Sequence, residues 1–68
     1  MSIRQRFSKN LKAARTLRKV SQEVLAERLG ITVRYVQLLE SKNPPNVKIE
    51  TFEKLAKVLK IKASYLVK

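Results

Sequence analysis

The fold of this 68-residue chain is decided by residues 21–40, which read SQEVLAERLGITVRYVQLLE. Ser21 is a hydroxyl residue ahead of a run whose apolar positions repeat at three and four residues, so it predicts the N-cap of an amphipathic helix. Gly30 ends that run, because glycine enters a left-handed turn conformation without steric cost. Thr32 predicts the N-cap of a second helix with its own apolar face. The stretch therefore predicts two short helices joined by a tight turn.

Two short helices joined by such a turn form the helix-turn-helix unit, and the flanking residues extend the pattern. The positions that carry a family resemblance are Gln22, Leu25, Ala26, Gly30, Ile31, Thr32, Val36, Leu39 and Glu40, with Arg15 upstream and residues 49–66 downstream. At these positions the chain resembles the repressor and Cro-type helix-turn-helix family, which includes phage repressors, restriction-modification controller proteins and small bacterial regulators. The resemblance implies an all-α, compact five-helix lambda-repressor-like DNA-binding domain, with the helix-turn-helix at helices 2 and 3.

The remaining helices are predicted from apolar residues that recur at steps of three and four. They cover about residues 3–18 and 49–60, and a last short helix covers about 63–67. Two prolines and two asparagines between residues 41 and 48 predict a loop. We therefore expect a single domain over residues 1–68, with its helix-turn-helix at about 21–41, and no room for a small-molecule effector domain.

The composition narrows the class of function. The chain has 16 Lys and Arg against 5 Asp and Glu, a formal net charge of +11, which is typical of a protein that binds a polyanion. Cysteine and histidine are absent, so thiolate metal sites and the usual general base are excluded. No acid–base pair, nucleophile constellation or phosphate-binding glycine loop is present. We predict a protein that is not an enzyme and that uses no metal or cofactor.

The hydropathy of the sequence indicates the cellular compartment of the protein. No apolar run approaches the roughly 18 residues that a membrane span needs, and the first ten residues lack a hydrophobic signal region. We expect a cytoplasmic protein without membrane contact, bacterial or phage-encoded, that is associated with the nucleoid when it is bound to DNA.

The second helix of a helix-turn-helix enters the major groove of double-stranded DNA. At about 100° per residue, Val36 and Leu39 define its core side, so the other side faces the bases. By this geometry Arg34, Gln37 and Leu38 point away from the core, and the resemblance implies base-reading positions at Val33, Arg34 and Leu38. The predicted base-reading residues are therefore Val33, Arg34, Gln37 and Leu38. The planar guanidinium of Arg34 can donate two hydrogen bonds to O6 and N7 of one guanine. The alternatives for Arg34 are a phosphate contact or a solvated side chain. Val33 and Leu38 cannot hydrogen-bond to bases, but they can pack on a thymine methyl group. The alternative is that they have no role in binding, because single exposed leucines are common on protein surfaces.

A second set of side chains is predicted to contact phosphates, which fix register without reading sequence. Gln22 is the strongest candidate, because the dipole at a helix N-terminus favours an anion. Tyr35 lies at the border between the core and groove sides, so half-buried packing is its alternative. The residues predicted to contact DNA phosphates are Gln22, Arg18, Lys19, Thr32, Tyr35, Ser41, Lys42, Asn43 and Lys48.

The resemblance also implies a structural ion pair between Arg15 and Glu40, for which the alternative is two unrelated surface charges. The sequence departs from the family where glycine is common after helices one, three and four, since Lys19, Lys42 and Lys60 stand there. A non-glycine residue held at positive φ costs about 1 kcal/mol. We therefore expect either turns of a different shape or a somewhat less stable domain.

The sequence as a whole predicts a sequence-specific regulator of transcription that binds double-stranded DNA. We expect a repressor that binds as a weak homodimer to an operator with approximate two-fold symmetry, because one domain reads only a few base pairs. Tyr65, Leu66 and Val67 are the candidate dimer surface, with closure of the monomer core as the alternative for Leu66. The competing class is a protein-interaction module, such as an antitoxin or anti-repressor with the same fold. The high lysine content favours DNA, because protein interfaces are depleted of lysine at their centre.

Overall fold

Four α-helices and one 3₁₀ helix form the chain, and no strand is present. The protein is described by a computed structural model that covers every residue from Met1 to Lys68. The helices are α1 (Ile3–Leu17), α2 (Gln22–Leu29), α3 (Val33–Leu39), α4 (Ile49–Leu59) and the 3₁₀ helix (Ala63–Val67). The all-α prediction is confirmed, and α1 and α4 each end one residue before the predicted position. None of these helices combines the length and the hydropathy that crossing a membrane requires.

The prediction of five α-helices is wrong at the C-terminus. Residues Ala63–Val67 form a 3₁₀ helix, in which Tyr65 N–H donates to the Lys62 carbonyl and Lys68 N–H donates to the Tyr65 carbonyl. Nucleating an α-helix orders several residues before the first hydrogen bond is made, so a five-residue segment gains little from it. Bonds that span three residues suit such short pieces better, which explains the 3₁₀ geometry.

The two helices of the helix-turn-helix unit, α2 and α3, each begin where the side chain of an N-cap residue accepts a hydrogen bond from a free backbone N–H group. Ser21 Oγ accepts a hydrogen bond from Val24 N at 3.1 Å, and Thr32 Oγ1 accepts one from Tyr35 N at 3.1 Å. Gly30 follows α2 at φ 70°, in the left-handed region. A Cβ at this glycine would meet no atom within 4 Å, so backbone conformation rather than space favours glycine there.

The core draws on all five helices, which therefore fold around one apolar centre. Its twelve buried residues are Phe7, Leu11, Ala14, Leu25, Ala26, Leu29, Val36, Leu39, Leu55, Ala56, Leu59 and Leu66. At one edge the rings of Phe7 and Phe52 stack with centroids 5.7 Å apart. At another edge Asn10 Nδ2 donates to the carbonyls of Tyr65 (3.1 Å) and Leu66 (3.3 Å), which holds the 3₁₀ helix on α1.

The helix ends that lack glycine do not share one conformation. Lys19 (φ 56°) and Lys60 (φ 57°) adopt the left-handed conformation, whereas Lys42 does not. The turns after α1 and α4 therefore keep the glycine-type geometry with a lysine in place, and each carries the strain of a side chain at positive φ. The turn after α3 has a different shape that avoids this strain.

Candidate nucleic-acid interface

A buried polar network connects the end of α1 with the start of α2 and the end of α3. Arg15 Nε donates to Glu40 Oε2 at 2.6 Å, and Arg15 Nη2 donates to Glu40 Oε1 at 3.1 Å. Gln22 Nε2 also donates to Glu40 Oε1 at 3.1 Å, and Arg15 Nη1 donates to the Val20 carbonyl at 2.8 Å. The Glu40 side chain is only 3% exposed and that of Arg15 only 13%, so this is a buried charge pair with its hydrogen bonds satisfied. The network holds α2 and α3 at one mutual orientation.

The helix α3 has one buried face and one open face. Val36 and Leu39 are completely buried, which commits their side of α3 to the core. Arg34, Gln37 and Leu38 are exposed on the opposite side, and 41% of the Leu38 surface is accessible. Neither Arg34 nor Gln37 makes a side-chain hydrogen bond or an ion pair within the chain. Three of the four predicted base-reading residues therefore lie on one solvent-exposed face.

The fourth predicted base-reading residue differs from the other three. Val33 is half-buried at the start of α3 and packs against the core. Tyr35 is likewise half-buried against the core, as the packing interpretation of this residue expects. Both side chains line the edges of the open face rather than its centre.

Several predicted phosphate ligands keep a hydrogen-bond donor free. Thr32 Oγ1 only accepts, from Tyr35 N, so its hydroxyl hydrogen remains available. Gln22 Nε2 uses one of its two hydrogens on Glu40 and keeps the other. Lys42, Asn43 and Lys48 are exposed and make no side-chain hydrogen bond in the chain. These residues flank α3 at both of its ends.

Two other predicted phosphate ligands are occupied within the fold. Arg18 Nε donates to the Leu59 carbonyl at 3.0 Å and Arg18 Nη2 to the Lys60 carbonyl at 3.1 Å, so this arginine caps the C-terminus of α4. The hydroxyl hydrogen of Ser41 goes to the Leu38 carbonyl at 2.7 Å, which leaves only lone pairs on that side chain. Lys19 is exposed next to Arg18, in the left-handed conformation. The hydroxyl of Ser41 therefore has no hydrogen left for a phosphate, whereas the exposed Arg18 keeps three of its five N–H hydrogens free.

The structure adds a residue that the sequence did not single out. Ser8, in α1, is 7% exposed and donates from Oγ to the Ser41 carbonyl at 2.8 Å. This bond holds the segment that follows α3 against α1. The only sequence signal for it is a serine beside two apolar core positions of α1, which does not identify a partner 33 residues away.

The three residues of the predicted dimer surface differ in their exposure. Leu66 is completely buried in the monomer core, so we remove it from that surface. Tyr65 is half-buried, and 38% of the Val67 surface is accessible. The physical reason is the 3₁₀ helix, which turns Leu66 inward while its neighbours remain at the surface.

Comparison with known proteins identifies the class. The helix-turn-helix family matches residues 11–66. A crystal structure of the hypothetical transcription factor NHTF from Neisseria superposes with a TM-score of 0.89 at 30% identity, over 98% of this chain and 76% of that one. The restriction-modification controller protein C.AhdI from Aeromonas hydrophila superposes with a TM-score of 0.83 at 33% identity, over 93% of this chain and 94% of that one. No curated protein sequence matches this chain significantly.

The chain belongs to the helix-turn-helix family of DNA-binding transcription regulators. The resemblance to repressor and Cro-type regulators that the sequence indicated is thereby confirmed. Both structural neighbours are described as regulators rather than as enzymes.

Proposed function

We propose that this protein is a sequence-specific repressor that binds double-stranded DNA through the major groove. One observation carries the proposal: the buried Arg15–Glu40–Gln22 network fixes α3 on α2, while Arg34, Gln37 and Leu38 remain exposed without intramolecular partners. A helix held rigidly, with an exposed face of polar and apolar side chains, is what direct readout of base edges requires.

The proposed docking follows the geometry of the helix-turn-helix unit. The N-terminal part of α3 lies in the groove, where Arg34 bonds to a guanine, Gln37 bonds to an adenine and Leu38 packs on a thymine methyl group. Gln22, Thr32, Lys42 and Lys48 hold phosphates on either side, since each retains a free donor. The net charge of +11 strengthens this attraction at any sequence.

We propose that two copies bind one operator. The longest dimension of the domain is 28 Å, which is shorter than one turn of B-DNA at about 34 Å, so a single copy covers one half-site. Two copies related by a two-fold axis would read two inverted half-sites about 34–36 Å apart. Tyr65 and Val67 are the proposed dimer surface, with their exposed area at the C-terminal end of the chain.

Repression is the proposed outcome because a DNA-bound dimer at a promoter blocks access of the polymerase by occupancy alone. One of the structural neighbours is itself a controller protein of a restriction-modification system. We propose that this protein acts in the same compartment as its DNA, the bacterial cytoplasm.

The test is a selection of random DNA duplexes by the purified protein at near-physiological salt, followed by sequencing of the bound pool. The expected result is an inverted repeat whose half-sites are about one helical turn apart. A pool without any enriched motif, bound with an affinity that only falls as salt rises, would show a charge-driven DNA binder and reject sequence-specific regulation.

A further inference from the structure

The first turn of α1 and the segment that follows α3 form two walls of one cleft. Arg4 and Gln5 from α1 line it on one side, and Lys42 and Asn43 line it on the other. Lys42 also lines a neighbouring cleft with Gln5, Ser8 and Ser41. The two walls are joined by the hydrogen bond from Ser8 Oγ to the Ser41 carbonyl at 2.8 Å. The spacing of the cleft is therefore set by the fold.

The cleft is cationic and has no internal counterion. Arg15–Glu40 is the only ion pair of the protein, so Arg4 and Lys42 are both unpaired. No carboxylate lines the cleft between Arg4 and Lys42, and Glu40, at the neighbouring cleft, is already bound by Arg15 and Gln22. The first turn of α1 contains no acidic residue, and a cation there is unfavourable with respect to the helix dipole. The charge of Arg4 therefore has no partner within the monomer.

We propose that Arg4 and Lys42 together bind one phosphate of the DNA backbone, beyond the C-terminal end of α3. This inference rests on the proposed function, because it requires α3 to lie in the major groove. With α3 there, the residues that follow it face the strand at the groove edge, and Arg4 shares their cleft. The guanidinium fork binds two phosphate oxygens at once, and the ammonium of Lys42 adds a point charge. The interface thus includes α1 in addition to the helix-turn-helix unit.

The test compares Arg4→Gln with Arg6→Gln, in the titration of a fluorescent 20-base-pair duplex at several chloride concentrations. Arg6 is the matched control, since it is exposed on the same helix, loses the same charge and lines neither cleft. Loss of one phosphate contact lowers the slope of log K against log salt by about 0.9. We expect that loss for Arg4→Gln and a clearly smaller one for Arg6→Gln. Arg4→Lys is expected to keep most of the slope.

Two further readouts make the result decisive. Arg4→Gln should weaken binding to the selected operator and to a random duplex by the same factor, because phosphate contacts carry no base information. Its thermal midpoint should equal or exceed that of the unmodified protein, which excludes a folding defect as the cause. Equal slopes for Arg4→Gln and Arg6→Gln would overturn the inference.

The failure of this inference is distinguishable from the failure of the proposed function. If the protein selects an operator but the two variants behave alike, only the phosphate site is wrong. If no operator is selected and Arg4→Gln still reduces the salt slope on random DNA, the phosphate site is supported and sequence-specific regulation is rejected.

Discussion

In the proposed complex, single side chains on α3 read the bases. Arg34 and Gln37 are exposed and make no side-chain hydrogen bond or ion pair within the chain, so their hydrogen-bonding groups are free. Val33 and Tyr35 are half-buried at the borders of that face and contribute packing as well as contact. The buried Val36 and Leu39 fix the direction in which the exposed residues point.

Replacing Arg34 with alanine is expected to relax base preference at one or two positions of each half-site. The lost arginine–guanine pair is worth about 1–3 kcal/mol of discrimination. The measurement is a repeated duplex selection with the variant, together with a titration of the original operator. Arg28→Ala, which removes the same charge from an exposed position of α2, serves as the control and should leave the motif unchanged. A weaker affinity with an unchanged motif would make Arg34 a phosphate ligand instead.

Replacing Lys60 with glycine is expected to stabilise the domain by about 0.5–1 kcal/mol, because the residue is held at φ 57°. The gain is smaller than the full cost of the strained backbone, since glycine also makes the unfolded chain more flexible. Urea unfolding monitored by circular dichroism measures it. Lys42→Gly removes the same charge at a position without positive φ, so it should give no gain. Equal gains in both variants would assign the effect to charge.

The helix-turn-helix unit, which consists of α2 and α3, is held rigid by a contact with the helix α1. Glu40 receives hydrogen bonds from Arg15 in α1 and from Gln22 in α2, while it caps the end of α3. Neither α2, with 8 residues, nor α3, with 7, would be stable alone. Their mutual angle therefore depends on this network and on the shared core.

Replacing Glu40 with alanine is expected to lower the free energy of unfolding by about 3–5 kcal/mol, because Arg15 would remain buried without a counterion. Equilibrium unfolding in urea tests this, with an unchanged m-value. Glu53→Ala, at an exposed position of α4, should change stability by no more than about 0.5 kcal/mol. The double variant Arg15→Met with Glu40→Leu should recover much of the loss, since no buried charge remains. A loss in Glu40→Ala no larger than in Glu53→Ala would contradict a structural role for the pair.

The whole molecule is a small, strongly basic body, and we propose that two copies of it bind one operator. Its radius of gyration is 10.5 Å and its net charge is +11, so it attracts any duplex but contacts few base pairs. When two copies are linked in a dimer, binding at the second half-site becomes intramolecular. The affinity for the whole operator therefore rises although neither copy makes a new base contact. In the proposed dimer, the geometry of the two copies would set the spacing between the half-sites.

Inserting about five base pairs between the half-sites of the selected operator is expected to reduce affinity to that of a single half-site. The insertion rotates one half-site by about half a helical turn, so a two-fold dimer no longer faces both. Titration of the two duplexes at one salt concentration measures the difference, and a duplex with five extra base pairs outside the repeat is the control. Equal affinity for all duplexes would indicate independent monomers.

Much of this fold was predictable because its determinants are local. The caps Ser21 and Thr32 bond to backbone groups three residues away, and Gly30 acts through its own φ. The periodicity of apolar residues likewise identifies the buried side of each helix, including Val36 and Leu39 on α3. For the same reason the exposed side of α3, with Arg34, Gln37 and Leu38, could be predicted from the sequence.

The tertiary structure alone decided the contacts between distant segments. Arg18 donates to the carbonyl of Leu59 at the end of α4, 41 residues away, a contact that its sequence neighbourhood does not indicate. Leu66 turns into the core through a 3₁₀ helix, and Arg4 and Lys42 come to share a cleft. The sequence by itself determined which segments are helical and which faces are apolar, because these depend on neighbouring residues. Hydrogen bonds between helices depend instead on how the helices pack against one another. This packing depends on all residues of the core together, so it cannot be read from one segment.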